Sequence, residues 1–106
     1  MQRKVYVINK SGHDYSDAIR FGELVFLSNG TMKRNGINEM YRKFISILKY
    51  SKEEDFILIT SLASAVGVAC SIFGYMHGRL NLLLYEKDKS GSGRYIERTV
   101  KIGELL

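Results

Sequence analysis

The chain has 106 residues, 45% hydrophobic and 25% charged, which is the ordinary composition of a soluble globular protein with room for one domain (residues 1–106) and one core. No stretch of about 18 apolar residues is present, which excludes a membrane-spanning helix, and no signal peptide is expected because the first apolar run, Val5 to Ile8, is too short. The net charge of +5 favours anionic partners, but Lys and Arg are dispersed, with small clusters at residues 2–4, 33–34 and 42–43, so any nucleic-acid binding is expected to be weak and strongly salt-dependent.

Residues 4–9 read as a strand buried on both faces, with Val5, Tyr6, Val7 and Ile8 closed by Asn9. A polar loop follows: Lys10, Ser11, Gly12, His13, Asp14 and Tyr15. Asp14 is a fair N-cap, Asp17 suits the first turn, and a short helix runs to Phe21 and stops at Gly22. Residues 24–28 (LVFLS) form a second continuous apolar strand, as in a parallel sheet covered on both sides. A loop over residues 29–36 carries Lys33 and Arg34, and Asn38 is the candidate cap of a second helix reaching Tyr50. Its apolar stripe is Met40, Tyr41, Phe44, Ile45, Ile47 and Leu48; Glu39 and Lys43 form a favourable i,i+4 pair on the wet face.

Ser51-Lys-Glu-Glu has capping-box spacing and predicts one turn before a third strand over residues 56–60. Ser61 or Ser64 then starts a third helix that ends at Gly78 and is apolar nearly all round, which predicts burial. Its small residues (Ala63, Gly67, Cys70, Ser71, Gly74) permit close approach to the sheet or to a second copy of the helix. A fourth strand covers residues 80–85. After a Ser/Gly-rich loop at 87–93, residues 94–102 alternate, with Ile96, Val100 and Ile102 on one side and Tyr95, Glu97, Thr99 and Lys101 on the other. The predicted architecture is a three-layer, Rossmann-like α/β domain of order 2-1-3-4-5, strand five being an antiparallel edge.

In that order strands one and three are neighbours whose connections leave in opposite directions, so the crevice between their C-terminal ends is the expected ligand site. Lys10, Ser11, Gly12, His13, Asp14 and Tyr15 would come from one side and Thr60, Ser61 and Ser64 from the other, with Ser28 and Asn29 at the end of strand two. Short hydroxyl and amide groups, helix N-termini, a cation and an imidazole suit a phosphate, ribose or carboxylate. Gly12 is expected to allow close backbone approach and any positive φ of the turn. Tyr15 is equally suited to stacking on a base and to packing under the loop. His13 beside Asp14 invites acid/base chemistry, but adjacent residues seldom point at one another. His77, at a helix C-terminus, meets the helix dipole, and Cys70 reads as a small core residue. Two distant histidines and one cysteine make no metal site. With no Gly-rich nucleotide motif present, no cofactor is expected. The lone cysteine fits a reducing, cytoplasmic setting.

The segments KVYVINKSGHDYSDA, GELVFLSNG and HGRLNLLLYE resemble those of small bacteriophage-encoded proteins of unassigned function. That resemblance implies binding rather than catalysis, since some small phage proteins sequester the nucleotide signals of bacterial immunity. The expected function is therefore non-catalytic binding of an anionic, nucleotide-like small molecule. The alternatives are a nucleotide hydrolase or transferase using His13 and Asp14, and a nucleic-acid or protein interaction module using the basic surface. The Gly-spaced helix and the exposed edge strand also point to a homo-oligomer.

Overall fold

The hydrophobic runs become five strands of one sheet: β1 (Lys4–Val7), β2 (Glu23–Phe26), β3 (Phe56–Leu58), β4 (Arg79–Lys87) and β5 (Gly93–Lys101). In the computed structural model, which describes residues 2–60 and 62–103, their order is β2-β1-β3-β4-β5. The first four are parallel and β5 runs antiparallel to β4, as the sequence predicts. Alternation along each strand divides the core into two layers. Tyr6, Ile8 and Ile57 face α1 (Ile37–Leu48) and α2 (Ala63–His77), where they meet Met40, Phe44, Leu48, Ala65, Ala69, Ile72 and Phe73. Val5, Val7, Phe56, Leu58 and Leu83 face the opposite side, with Tyr15, Ala18 and Tyr95. Burial raises the Tyr6 hydroxyl to about 12, with the nearby Asp55 and Glu23 carboxylates adding to the shift.

That second face is covered by two turns of 3-10 helix, Ser16–Phe21. The N-cap of this helix is Tyr15, with no side-chain cap, and not Asp14, which stands one residue earlier and accepts the Ser16 N–H at 2.9 Å in an Asx turn. The short helix is held by more than its own turns. The Asp17 carboxylate accepts the Tyr95 N–H at 2.7 Å, and Arg20 donates to the Tyr95 carbonyl. Together they occupy backbone groups of β5 that a free edge would leave open. At its end, Gly22 stacks on β1 so tightly that a Cβ would lie 2.4 Å from the Arg3 carbonyl oxygen.

Four local expectations change. α1 begins after Gly36, which takes the cap position with no side-chain hydrogen bond, so Asn38 lies within the first turn instead of capping it. The turn before β3 is closed by Asp55, which accepts the Lys52 N–H at 2.8 Å and the Lys4 N–H at 2.9 Å, and not by a Ser51–Glu54 capping box. On β5 the buried residue is Tyr95, 4% exposed, because the hairpin brings its ring onto the 3-10 face. Burial pushes its hydroxyl up to about 12, followed by the fields of Tyr15, Tyr85, Asp14 and Asp17. Finally, α2 is not buried all round. Ala65, Ala69, Ile72, Phe73 and Gly74 are buried, whereas Ala63, Gly67, Ser71, Tyr75 and Met76 are exposed. The helix ends as predicted at Gly78, whose φ of 67° is the left-handed value glycine adopts without strain.

Candidate functional site

The site grows from the end of β1. Asn9 is buried where the strand stops, and its side-chain amide donates to the Gly30 carbonyl at 2.8 Å. The Ser28 hydroxyl, also buried, lies 2.7 Å from the Ile8 carbonyl and 2.8 Å from Asn9 Oδ1. Two backbone bonds, Lys10 N–H to Ser28 O (2.8 Å) and Gly30 N–H to Lys10 O (3.2 Å), extend the β1–β2 pairing into the loops. These contacts seat both loops side by side at the C-terminal edge of the sheet. Tyr15 supports the first loop from below. It is only 6% exposed, its hydroxyl donates to the Asn9 carbonyl at 3.1 Å, and Ser11 Oγ is 2.9 Å away. The His13 ring stands edge-on to it, with ring centroids 6.3 Å apart.

Two hollows result. One, of about 310 Å³, opens at the β1/β3 switch point and is lined by Asn9, Ser11, His13, Met32 and Leu62. The other, of about 250 Å³, lies at the end of β2 and the start of α1, lined by Ser28, Asn29, Thr31, Met32, Lys33, Gly36, Glu39, Met40, Lys43 and Phe44. Met32 is common to both. The second hollow carries two cations against one carboxylate, and α1 begins there without a side-chain cap. First-turn N–H groups with no such cap favour an anion.

Of the residues expected at the site, Ser11 and His13 line the first hollow, and Ser28 and Asn29 the second. Gly12 and Asp14 are exposed on the loop and line neither. Gly12 has no positive φ, and a Cβ there would meet nothing within 4 Å, so the turn itself does not demand glycine. Lys10 sends its ammonium to the other face of the sheet, 5.4 Å from the Phe26 ring centroid. Tyr15 is packed beneath the loop. Thr60 is half-buried after β3, and Ser64 turns to donate to the Arg34 carbonyl at 2.7 Å. Ser61 lies outside the described residues. Sequence reasoning missed Asn9, Met32, Leu62, Lys33, Glu39 and Lys43 as lining groups. Lys33 and Lys43 were visible as charges, but nothing local tells a wet helix face from the rim of a hollow.

The electrostatics separate binding groups from structural ones. The Asp14 carboxyl is held below its ordinary 3.8, first by the hydrogen bond from the Ser16 backbone and then by the Ser16 side chain. It is ionised at neutral pH and engaged by the chain, and no hydrogen bond joins it to His13 among the described residues. Cys70 is half-buried, and burial pushes its thiol up, away from the reactive thiolate. Among the described residues no three His, Cys, Asp or Glu side chains cluster to hold a metal ion, and no helix is long and apolar enough to cross a membrane.

A family model described as phage Pam3 gp32-like protein matches residues 3–102, nearly the whole chain. No curated protein and no solved structure matches the chain. The match bears out the resemblance to small phage-encoded proteins carried by the β1, β2 and β4 segments: the chain belongs to the family of phage Pam3 gp32-like proteins.

Proposed function

We propose that this chain binds, without chemically transforming, an anionic nucleotide-like small molecule at the C-terminal edge of its sheet, and that it does so in the cytoplasm of the cell that contains it. The observation that carries the reading is the pair of hollows meeting at Met32, one at the switch point with Ser11 and His13, the other with Lys33 and Lys43 beside the start of α1. Together they reach the lower part of the ~300–1,000 Å³ range of small-molecule sites. Phosphate oxygens would meet Lys33, Lys43 and the first N–H groups of α1. A ribose or base would face Ser11 and His13 over the thioether of Met32. Asp14, already spent on Ser16, favours binding over the hydrolase or transferase alternative. The dispersed basic charge favours a small anion over a long nucleic acid.

Calorimetric titration with mono-, di- and cyclic nucleotides, paired with a mass-spectrometric product assay, tests this. Wild-type protein should bind at least one class and return it unchanged. His13→Ala should weaken binding by about 1 kcal/mol, the worth of one hydrogen bond, and the Lys33→Ala, Lys43→Ala double variant by roughly 1.5–3 kcal/mol per lost charged contact. Turnover that vanishes in His13→Ala would promote the enzyme reading. Tight duplex or single-strand binding that persists at physiological salt would promote the nucleic-acid reading. Failure to bind any of the panel would remove the proposal.

A further inference from the structure

On the far side of the helical layer α1 and α2 leave an open groove of about 930 Å³, lined by Ile37, Tyr41, Ile45, Val68, Tyr75 and Met76 among others. Its character departs from the rest of the surface. A quarter of the chain is charged, yet α2 contains no Asp, Glu, Lys or Arg in 15 residues, although one full face of it is exposed. Solvent-facing helix surfaces in monomers are normally polar. Tyr75 is 93% exposed and Tyr41 51% exposed, so these two rings alone present roughly 300 Å² of surface to water.

Gly67 sharpens the point. It sits in the interior of α2, where glycine weakens a helix relative to alanine. Nothing in this chain calls for it: its φ is not positive, and a Cβ would meet no atom within 4 Å. Gly74 on the same helix differs, since a Cβ there would press on Ile102 at 2.8 Å. A glycine with open space outside it suits something that approaches from outside.

We infer that the occupant is a second copy of this chain, in a two-fold dimer whose α2 helices cross antiparallel at Ser71. Ala63, Gly67, Ser71 and Tyr75 are spaced by four and form one row along the exposed face. The large knob, Tyr75, and the open gap, Gly67, stand four residues on either side of Ser71. A two-fold contact is self-complementary, residue i meeting j while j meets i. Crossing at Ser71 therefore seats each Tyr75 ring over the Gly67 of the other copy, filling both gaps at once. The two helices are levelled by hydrogen bonds at each end, Ser64 to Arg34 and Ser51 to His77, which puts Ser71 near mid-groove. The same operator then brings Tyr41 and Ile45 of α1 against their counterparts. Helices about 18 Å (α1) and about 22 Å (α2) long, roughly 10 Å apart, present on the order of 400 Å² in projection, and more as accessible surface. That approaches the ~800 Å² per partner of a standard stable interface. The alternative route to association, strand addition at β5, is obstructed at Tyr95, whose backbone is taken by Asp17 and Arg20.

Sedimentation velocity across a concentration series reads the result, with circular-dichroism melting to verify that each variant folds. Wild-type protein should sediment at twice the chain mass at micromolar concentration. Gly67→Asp and Tyr75→Lys should each raise the dimer dissociation constant at least tenfold while remaining folded. Mixed in equal amounts, the two variants should form a heterodimer, because Asp at 67 of one copy then faces Lys at 75 of the other while the second Tyr75–Gly67 contact is intact. A wild-type protein monomeric at 100 μM would overturn the proposal. So would a dimer indifferent to both substitutions, or one that mixing does not restore. None of these outcomes depends on nucleotide binding.

Discussion

The two ends of the sheet are built from similar polar residues and treat them in opposite ways. At the N-terminal end of the parallel strands, Asp55, Asn81 and Ser51 are buried and turned inward. Asp55 accepts two backbone N–H groups. Asn81 donates to the Glu53 carbonyl at 2.6 Å and the Asp55 carbonyl at 2.8 Å, and accepts from Arg79 and Thr99. The Ser51 hydroxyl donates to the Leu48 carbonyl at 2.6 Å and is hydrogen-bonded with His77 Nε2 at 2.8 Å. At the C-terminal end, Asn9 and Ser28 make a similar buried lock, but Ser11, His13 and Asn29 above it stay exposed and line hollows. Among the described residues no buried polar side-chain atom lacks a partner at either end. The difference lies in what is left over: the lower end turns its donors and acceptors onto the chain, whereas the upper end leaves some exposed around the hollows.

The strongest way to break this contrast is at the lower end. Asp55→Ala leaves the Lys4 and Lys52 N–H groups without their acceptor and should cost about 2–4 kcal/mol of stability. Urea denaturation measures it, and the nucleotide affinity of the remaining folded protein should be unchanged. Gly22→Ala acts on the frame shared by both ends. Its Cβ cannot coexist with the Arg3 carbonyl, so β1 and the end of the 3-10 helix must move apart, at a cost of roughly 1–3 kcal/mol in the same assay.

Tyr15→Phe probes the upper end with a smaller expected effect. It removes the hydroxyl that ties Asn9 to Ser11, for a loss of about 1 kcal/mol, and frees the loop that carries His13. Unlike Asp55→Ala, it should weaken nucleotide binding more than its stability change accounts for. The smallest effect is a pH dependence. Asp17 is held below 3.8 chiefly by the Tyr95 backbone hydrogen bond, then by Arg20. A carboxyl lowered in the folded state contributes stability that is fully present above its unfolded value and is lost as pH falls through the folded one. Wild-type stability should therefore decline below about pH 4 more steeply than that of Asp17→Asn, as urea midpoints between pH 2 and 6 would show.

Sequence by itself determined the strands and their order, and it pointed to one candidate site. Runs such as Val5 to Ile8 and FILIT are local and continuous, the 3.6-residue stripe of α1 is local too, and right-handed crossovers leave few ways to arrange them. Topology alone pointed to the end of β1 as the candidate site, and of the residues expected there Ser11, His13, Ser28 and Asn29 line the two hollows found beside it. Tertiary structure decided which neighbours those residues have. Met32 and Leu62 close the first hollow from loops far along the chain from Ser11 and His13, and Lys43 reaches the second from α1. Tyr15, which sequence left between stacking and support, is support because Asn9 and Ser11 fold over its hydroxyl. The exposed face of α2 was hidden for a related reason. An apolar helix looks the same in sequence whether it lies inside one chain or between two, because hydrophobic pattern records that a face is to be covered and not by what.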